Sequence, residues 1–241
     1  KVEYIGHPLV QVVEEAIAEK TGVPLRCFQS ATKNTVDMPA AEWEGKKLVA
    51  LLPGSRKQEI TVKLPVMLEA AKAFPTYQFI IAQAPGQPLS FYEELTAGYQ
   101  NVFIALSGQT YTLLTRAKAA LVTSGTATLE TALFGVPQVV CYKGSAISYQ
   151  IARRLVKIKY ISLVNLIMDK PVVKELIQGE MTVANIQAEL EAILHNADRI
   201  GKMKADYSEL KSILQKEGNA SARAAQEIVG YLQEPTALPA G

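Results

Sequence analysis

Hydrophobic positions along the chain fall into two alternating patterns. Short runs of apolar residues, Leu48-Val-Ala-Leu-Leu52, Phe79-Ile-Ile-Ala82 and Val136-Pro-Gln-Val-Val-Cys141, are separated by longer stretches of helical period. A brief apolar run closed by turn residues reads as a buried strand, and its alternation with amphipathic segments predicts an α/β domain with a mostly parallel sheet. Strands are expected at 47–52, 77–82, 101–105, 118–123 and 138–142. Between the first two, Leu64, Met67, Leu68 and Ala71 share a helix face, with Pro65 inside it, so this helix starts late or kinks. Residues 109–116 form a short helix, and Ser124-Gly125-Thr126 opens another that Gly135-Val-Pro137 ends.

No strand is expected after 142. Three amphipathic helices follow, marked by Ile186/Leu190/Ile193/Leu194, by Met203/Tyr207/Leu210/Leu214, and by Ala224/Ala225/Ile228/Val229/Leu232 behind an Asn219 cap. The Pro- and Ala-rich segment 233–241 reads as a frayed tail. Toward the start, 10–20 fits a helix, whereas 27–44 mixes polar residues, Pro and Trp43 without periodicity and reads as a loop-like insertion. The expected division is therefore an inter-domain segment with insertion at 1–46, a Rossmann-like domain at 47–217, and a terminal helix and tail at 218–241.

Composition narrows the classes. The 241 residues carry 25 Lys+Arg against 23 Asp+Glu, a net charge of +2 that argues against a dedicated nucleic-acid binder. With 20% charged and 49% hydrophobic residues the chain is expected to fold rather than stay disordered. Two cysteines, Cys27 and Cys141, do not make a disulfide scaffold, and a reduced cytosolic setting is the simplest reading. No run approaches the roughly 18 apolar residues of a membrane span. Because the chain opens at Lys1 without a signal pattern, a fragment of something longer is expected.

Two segments carry candidate chemistry. In Leu51-Leu-Pro-Gly-Ser-Arg56 a strand runs through a tight turn into a helix. In an open parallel sheet ligands bind beyond the carboxyl ends of the strands. There Gly54 admits a close ligand, Ser55 and the following amides can point at an anion, and Arg56 adds a forked contact. The plain alternative is a turn whose arginine faces solvent. In Leu121-Val-Thr-Ser-Gly-Thr-Ala-Thr-Leu-Glu130 the design recurs: hydroxyls at Ser124 and Thr126, bare backbone at Gly125, and Glu130 one turn on, able to accept from ribose hydroxyls. Here the alternative is ordinary helix capping with an exposed Glu130. Two such turns in one domain favour a nucleotide diphosphate.

Other signatures are missing. There is no G-x-x-x-x-G-K-[ST], G-x-G-x-x-G or G-x-S-x-G, and His7 and His195 have no ligand cluster at metal spacing, so no metal is expected. From Thr131 to Met168 there is no acidic residue, while Arg153, Arg154 and Lys157 lie off the apolar face made by Ile151, Leu155 and Ile158. That helix either docks against anionic headgroups or phosphorylated substrates, or is an ordinary helix with solvated charges.

Six segments occur in one order: Tyr4-Ile-Gly-His-Pro-Leu9, Leu51–Arg56, Thr123–Glu130, Pro137-Gln-Val-Val-Cys-Tyr-Lys143, Tyr160-Ile-Ser-Leu-Val-Asn-Leu166 and Lys174-Glu-Leu-Ile-Gln178. Together they resemble the lipid-A-disaccharide synthase family of bacterial glycosyltransferases. The resemblance implies a GT-B fold, two Rossmann-like domains across a cleft, of which the carboxy-terminal one binds the sugar nucleotide. It implies transfer of a glucosaminyl group from UDP-2,3-diacylglucosamine to 2,3-diacylglucosamine 1-phosphate (a lipid X-type acceptor), with inversion and without metal or other cofactor. By the same resemblance Arg56 neutralises the leaving UDP with Gly54 and Ser55 beside it, Ser124, Gly125 and Thr126 hold the diphosphate, Glu130 holds the ribose, and Asn165 and Gln178 are donor-side. His7 falls at the crossover between domains.

Two departures stand out. Ser162-Leu-Val-Asn165 replaces the family's Ser-Leu-Pro-Asn, and the span from Leu9 to Lys47 is long. The family's amino-terminal domain, with the acceptor site and general base, is not in this chain, so donor binding without turnover is expected. The implied setting is cytoplasmic, on the inner face of the inner membrane, with Arg153, Arg154 and Lys157 facing it and a homodimer formed through the last helix. Competing expectations are another GT-B enzyme such as a UDP-N-acetylglucosamine 2-epimerase, and a non-enzymatic docking module.

Overall fold

The computed structural model describes residues 7–20, 23–38, 46–144, 159–215, 225–226 and 228–229. Among them one eight-stranded sheet is formed by β1 (Leu25–Gln29), β2 (Asn34–Met38), β3 (Lys47–Leu52), β4 (Tyr77–Ala82), β5 (Val102–Ala105), β6 (Ala119–Val122), β7 (Gln138–Tyr142) and β8 (Lys174–Ile177). Their spatial order is β2-β1-β5-β4-β3-β6-β7-β8, parallel from β5 to β8. The helices are α1 (Leu9–Lys20), α2 (Lys57–Ala71), α3 (Leu89–Thr96), α4 (Thr110–Leu114), α5 (Thr126–Leu133), α6 (Leu163–Met168), α7 (Val183–His195) and α8 (Ala197–Gln215). This is the doubly wound α/β architecture that the apolar runs predict.

Burial on both faces explains those runs. Along β3, Val49 and Leu51 join the core beneath α2, α7 and α8, while Leu48, Ala50 and Leu52 join a second core with Leu113 and Leu114 of α4. The helical stripes behave as their period requires: Ile186, Leu190 and Ile193 of α7, and Met203, Tyr207, Leu210 and Leu214 of α8, are buried. Gln138 fastens these layers, its buried Nε2 donating to the Thr128 carbonyl of α5 at 2.9 Å and to the Tyr207 hydroxyl at 3.2 Å.

Three expectations change. The loop-like 27–44 segment contains β1 and β2, an antiparallel hairpin that also pairs with β5 through Cys27↔Ala105 and Phe28↔Ile104. Leu25 and Cys27 are buried and Arg26 between them is exposed, a period-two signal too short to read without its partner strand; residues 39–45 lie outside the described set. Strands do not stop at 142, because 174–177 pairs with β7 as the edge strand β8 and buries only Leu176. Finally, α2 starts at Lys57 despite Pro65, which sits on the exposed side where the Thr61 carbonyl it leaves without a donor can meet water. The third terminal helix, the Asn219 cap and the tail fall almost wholly outside the described residues.

Candidate functional site

Two adjacent parallel strands deliver two turns to the same place. The chain winds outward from β3 through β4 and β5, then crosses back to β6, so β3 and β6 flank the point where strand order reverses. A crevice opens there beyond the carboxyl ends. Thr123 N–H donates to the Leu52 carbonyl at 2.8 Å, setting the two turns side by side. Gly54 (φ +116°) leads into α2 and Gly125 (φ +146°) into α5, and both values favour glycine. Neither helix has a side-chain cap, so no capping side chain covers its start, and the positive ends of both dipoles meet at one spot.

That spot is a hollow of about 350 Å³ lined by Gly54, Ser55, Arg56, Ser124, Gly125, Thr126 and Glu130, together with Glu59, Gln83, Ala84, Pro85, Thr110 and Thr123. Seven residues singled out from the sequence thus share one site. Arg56 is largely exposed and its Nη1 donates to Glu59 Oε1 at 3.1 Å. Ser124 Oγ donates to the Ile161 carbonyl at 2.7 Å, which ties the second turn to the loop before α6 while leaving the hydroxyl lone pairs free to accept. Three loops are laced together by amides. Gln87 Nε2 donates to the Ser55 carbonyl (3.2 Å), Gln83 Nε2 to the Gln87 carbonyl (2.9 Å), and Gln83 Oε1 accepts from Ser107 N–H (3.2 Å).

Glu130 is half-buried. Burial raises its pKa above the usual carboxylate value, and a hydrogen bond donated by Tyr111 Oη at 3.2 Å partly offsets this. Burial and the neighbouring carboxylate push the Tyr111 hydroxyl up to about 12. For an acid whose folded pKa lies above the unfolded 4.5, the stabilising contribution is complete below 4.5 and disappears as pH rises through the folded value. Glu130→Gln is therefore expected to melt higher than the parent near pH ~8, with the gap closing toward pH ~4. Melting curves across this range check it, and a gap that widens in acid would refute it.

Asn165 and Gln178 are not brought into the hollow. Asn165 is buried, its Nδ2 donating to the Val173 carbonyl and Glu175 Oε1, each at 2.9 Å, and its Oδ1 accepting from Val173 N–H at 2.9 Å. Its amide fastens α6 to β8; Ser162, two residues before the Val164 that replaces the proline of Ser-Leu-Pro-Asn, caps α6 by accepting from Asn165 N–H at 3.2 Å. Gln178 follows β8 with φ +52°, and its buried Nε2 has no partner. His7 accepts from Leu9 N–H at 3.2 Å at the start of α1. His195 stands at the opposite end of the sheet, between Tyr77 Oη at 2.9 Å and Glu191 at 2.7 Å. Arg153, Arg154 and Lys157 lie outside the described residues.

Sequence reading missed Glu59, Lys63 and Tyr111. Glu59 stands 3.6 Å from Lys63 Nζ, and the Lys63 ammonium, buried under both turns, donates to Thr123 Oγ1. The Arg56/Glu59/Lys63 spacing of i, i+3, i+7 was a usable signal for this chain of charges. Gln83 and Gln87 left none, since their partners lie on other loops.

Comparison with known proteins bears on this geometry. The family model described as lipid-A-disaccharide synthetase matches residues 1–229. The lipid-A-disaccharide synthase of Syntrophus aciditrophicus is 39% identical over 232 residues, 94% of this chain and 57% of that protein. The enzyme of the same name from Psychromonas ingrahamii is 38% identical over 195 residues, 77% of this chain and 49% of that protein. The chain thus spans about half the length of these relatives. Among solved structures, UDP-GlcNAc 2-epimerase from Neisseria meningitidis bound to UDP-GlcNAc superposes with a TM-score of 0.59 at 14% identity, covering 95% of this chain and 56% of that one. The calicheamicin glycosyltransferase CalG4 gives 0.54 at 16% identity, covering 79% and 43%. At such identities these two show the fold, of the GT-B kind. The match over 229 residues and the identity to the curated enzymes settle the rest: the chain belongs to the lipid-A-disaccharide synthase family.

Proposed function

We propose that this chain is the donor-binding part of a lipid-A-disaccharide synthase, holding the UDP of UDP-2,3-diacylglucosamine while the glucosaminyl group passes, with inversion, to 2,3-diacylglucosamine 1-phosphate. The observation that carries this reading is the meeting of two glycine turns, two uncapped helix starts and Arg56 in one hollow, with a half-buried Glu130 beside them. As the glycosidic bond to the diphosphate breaks, negative charge grows on the leaving oxygen. The Gly54 and Gly125 turns, the two helix dipoles and the Arg56 guanidinium border the hollow and supply the positive potential that stabilises that charge. Glu130, oriented by Tyr111, accepts from the ribose hydroxyls.

The acceptor site and general base belong to a part of the enzyme outside this chain, so the chain alone binds donor without turning it over. Both substrates carry acyl chains, which supports a position on the inner-membrane surface. No helix among the described residues is long and apolar enough to cross a membrane.

Thermal unfolding with UDP or AMP tests the reading. UDP at about 100 times its Kd stabilises a protein by about 2.7 kcal/mol, a rise of roughly 5–10 °C for a chain of this size. AMP is expected to leave the melting temperature unchanged, and Arg56→Ala to remove most of the UDP shift. No shift with saturating UDP, or an equal one with AMP, would overturn the proposal.

A further inference from the structure

Glu59 poses a problem for the donor reading, on which this inference rests: a carboxylate lines a hollow assigned to a diphosphate. Each of its oxygens meets a cation. Oε1 accepts from Arg56 Nη1 at 3.1 Å, and Oε2 stands 3.6 Å from Lys63 Nζ. The Lys63 side chain is 2% exposed and reaches the second turn through Thr123 Oγ1. Burial pulls the Lys63 pKa down and Glu59 pulls it back up, so the carboxylate helps to keep the buried ammonium charged. Two cations and one anion leave the trio positive, and an incoming phosphate meets a carboxylate already neutralised on both sides.

Arg56 has the opposite problem. Its side chain is 83% exposed, and a long stem in solvent samples many rotamers. Glu59 engages it through Nη1, leaving Nη2 and Nε, the rest of the fork, for an anion. Glu59 also lies against the first turn, since a Cβ built on Gly54 falls 2.6 Å from Glu59 Oε2.

We propose that Glu59 is a positioning residue for Arg56: it holds the guanidinium beside the Gly54 turn, ready for the diphosphate, and is itself held from behind by Lys63. The arrangement couples both turns through one buried ammonium, from Arg56 at the mouth to Thr123 in the neighbouring turn.

A double-mutant cycle with the 241-residue chain tests this, with titration calorimetry of UDP and of uridine. Glu59→Gln is expected to weaken UDP about tenfold, a size usual for coupled neighbours, and to change uridine less than about twofold. In an Arg56→Ala background Glu59→Gln is expected to add nothing, because its effect runs through Arg56. Glu59→Gln leaves Lys63 buried without its carboxylate, so Glu59→Gln/Lys63→Met is measured alongside. It is expected to melt like the parent and still to bind UDP about tenfold more weakly. Unchanged or tighter UDP binding in Glu59→Gln, additive losses in the cycle, equal losses for uridine, or recovery of UDP affinity in Glu59→Gln/Lys63→Met would each overturn the inference. Failure of the parent to prefer UDP over AMP would instead overturn the donor reading, and this inference with it.

Discussion

Gly54→Ala is expected to abolish measurable UDP binding and to destabilise the fold by about 2–4 kcal/mol, the sum of backbone strain and a displaced neighbour. With φ at +116° an alanine is strained whatever space surrounds it. Space is short as well. The added Cβ falls 2.6 Å from Glu59 Oε2, 3.4 Å from Glu59 Cβ and 3.5 Å from Thr123 Cγ2. Relief requires Glu59 to move, and Arg56 moves with it. Gly125→Ala makes a useful contrast, because its φ is +146° but nothing lies within 4 Å of the added Cβ. That variant carries strain alone and is expected to lose less stability. Urea denaturation of the two variants, with UDP calorimetry, checks the pair; a Gly54→Ala chain as stable as its parent would refute the account.

The second large effect falls outside the hollow. Asn165→Ala removes three hydrogen bonds at once, two of them buried, and strands the Val173 N–H and carbonyl. Buried groups left without partners cost about 1–3 kcal/mol each, softened by relaxation, so a total near 3 kcal/mol and a fall of roughly 6–12 °C in melting temperature are expected. Glu175 keeps its bonds from Ile161 N–H (3.0 Å) and Ser162 N–H (2.9 Å), which holds the segment in place. UDP affinity of the folded variant is accordingly expected to change by less than about threefold. A stable variant with severely weakened UDP binding would return Asn165 to the donor site.

These two residues also mark how far the sequence could be read. Gly54 and Gly125 announce themselves because each sits between an apolar run and an amphipathic stretch, and local pattern is enough to place both at strand ends. Asn165 sits in a recognisable segment yet points inward, a matter decided by Val173 and Glu175 across the chain. The central strands were legible because burial on both faces writes continuous apolar runs. By contrast β1, β2 and β8 lie at or near the sheet edges, and in β1 and β8 incomplete burial leaves only a weak pattern over four or five residues. Polar cross-links were least visible of all, since Lys63 reaching Thr123 or Gln87 reaching Ser55 joins residues that no local period connects.

One set of contacts, between α1 and α8, has a mechanical meaning. His7 N–H donates to the Leu214 carbonyl at 3.3 Å, and Glu14 of α1 meets Lys211 and Gln215 of α8 at 2.8 Å each. His7 and Gln215 therefore lie close together in the fold. A pull applied through them would load these few bonds one after another, like a zipper opened from its end, while the parallel strands that hold the two turns carried almost none of the tension.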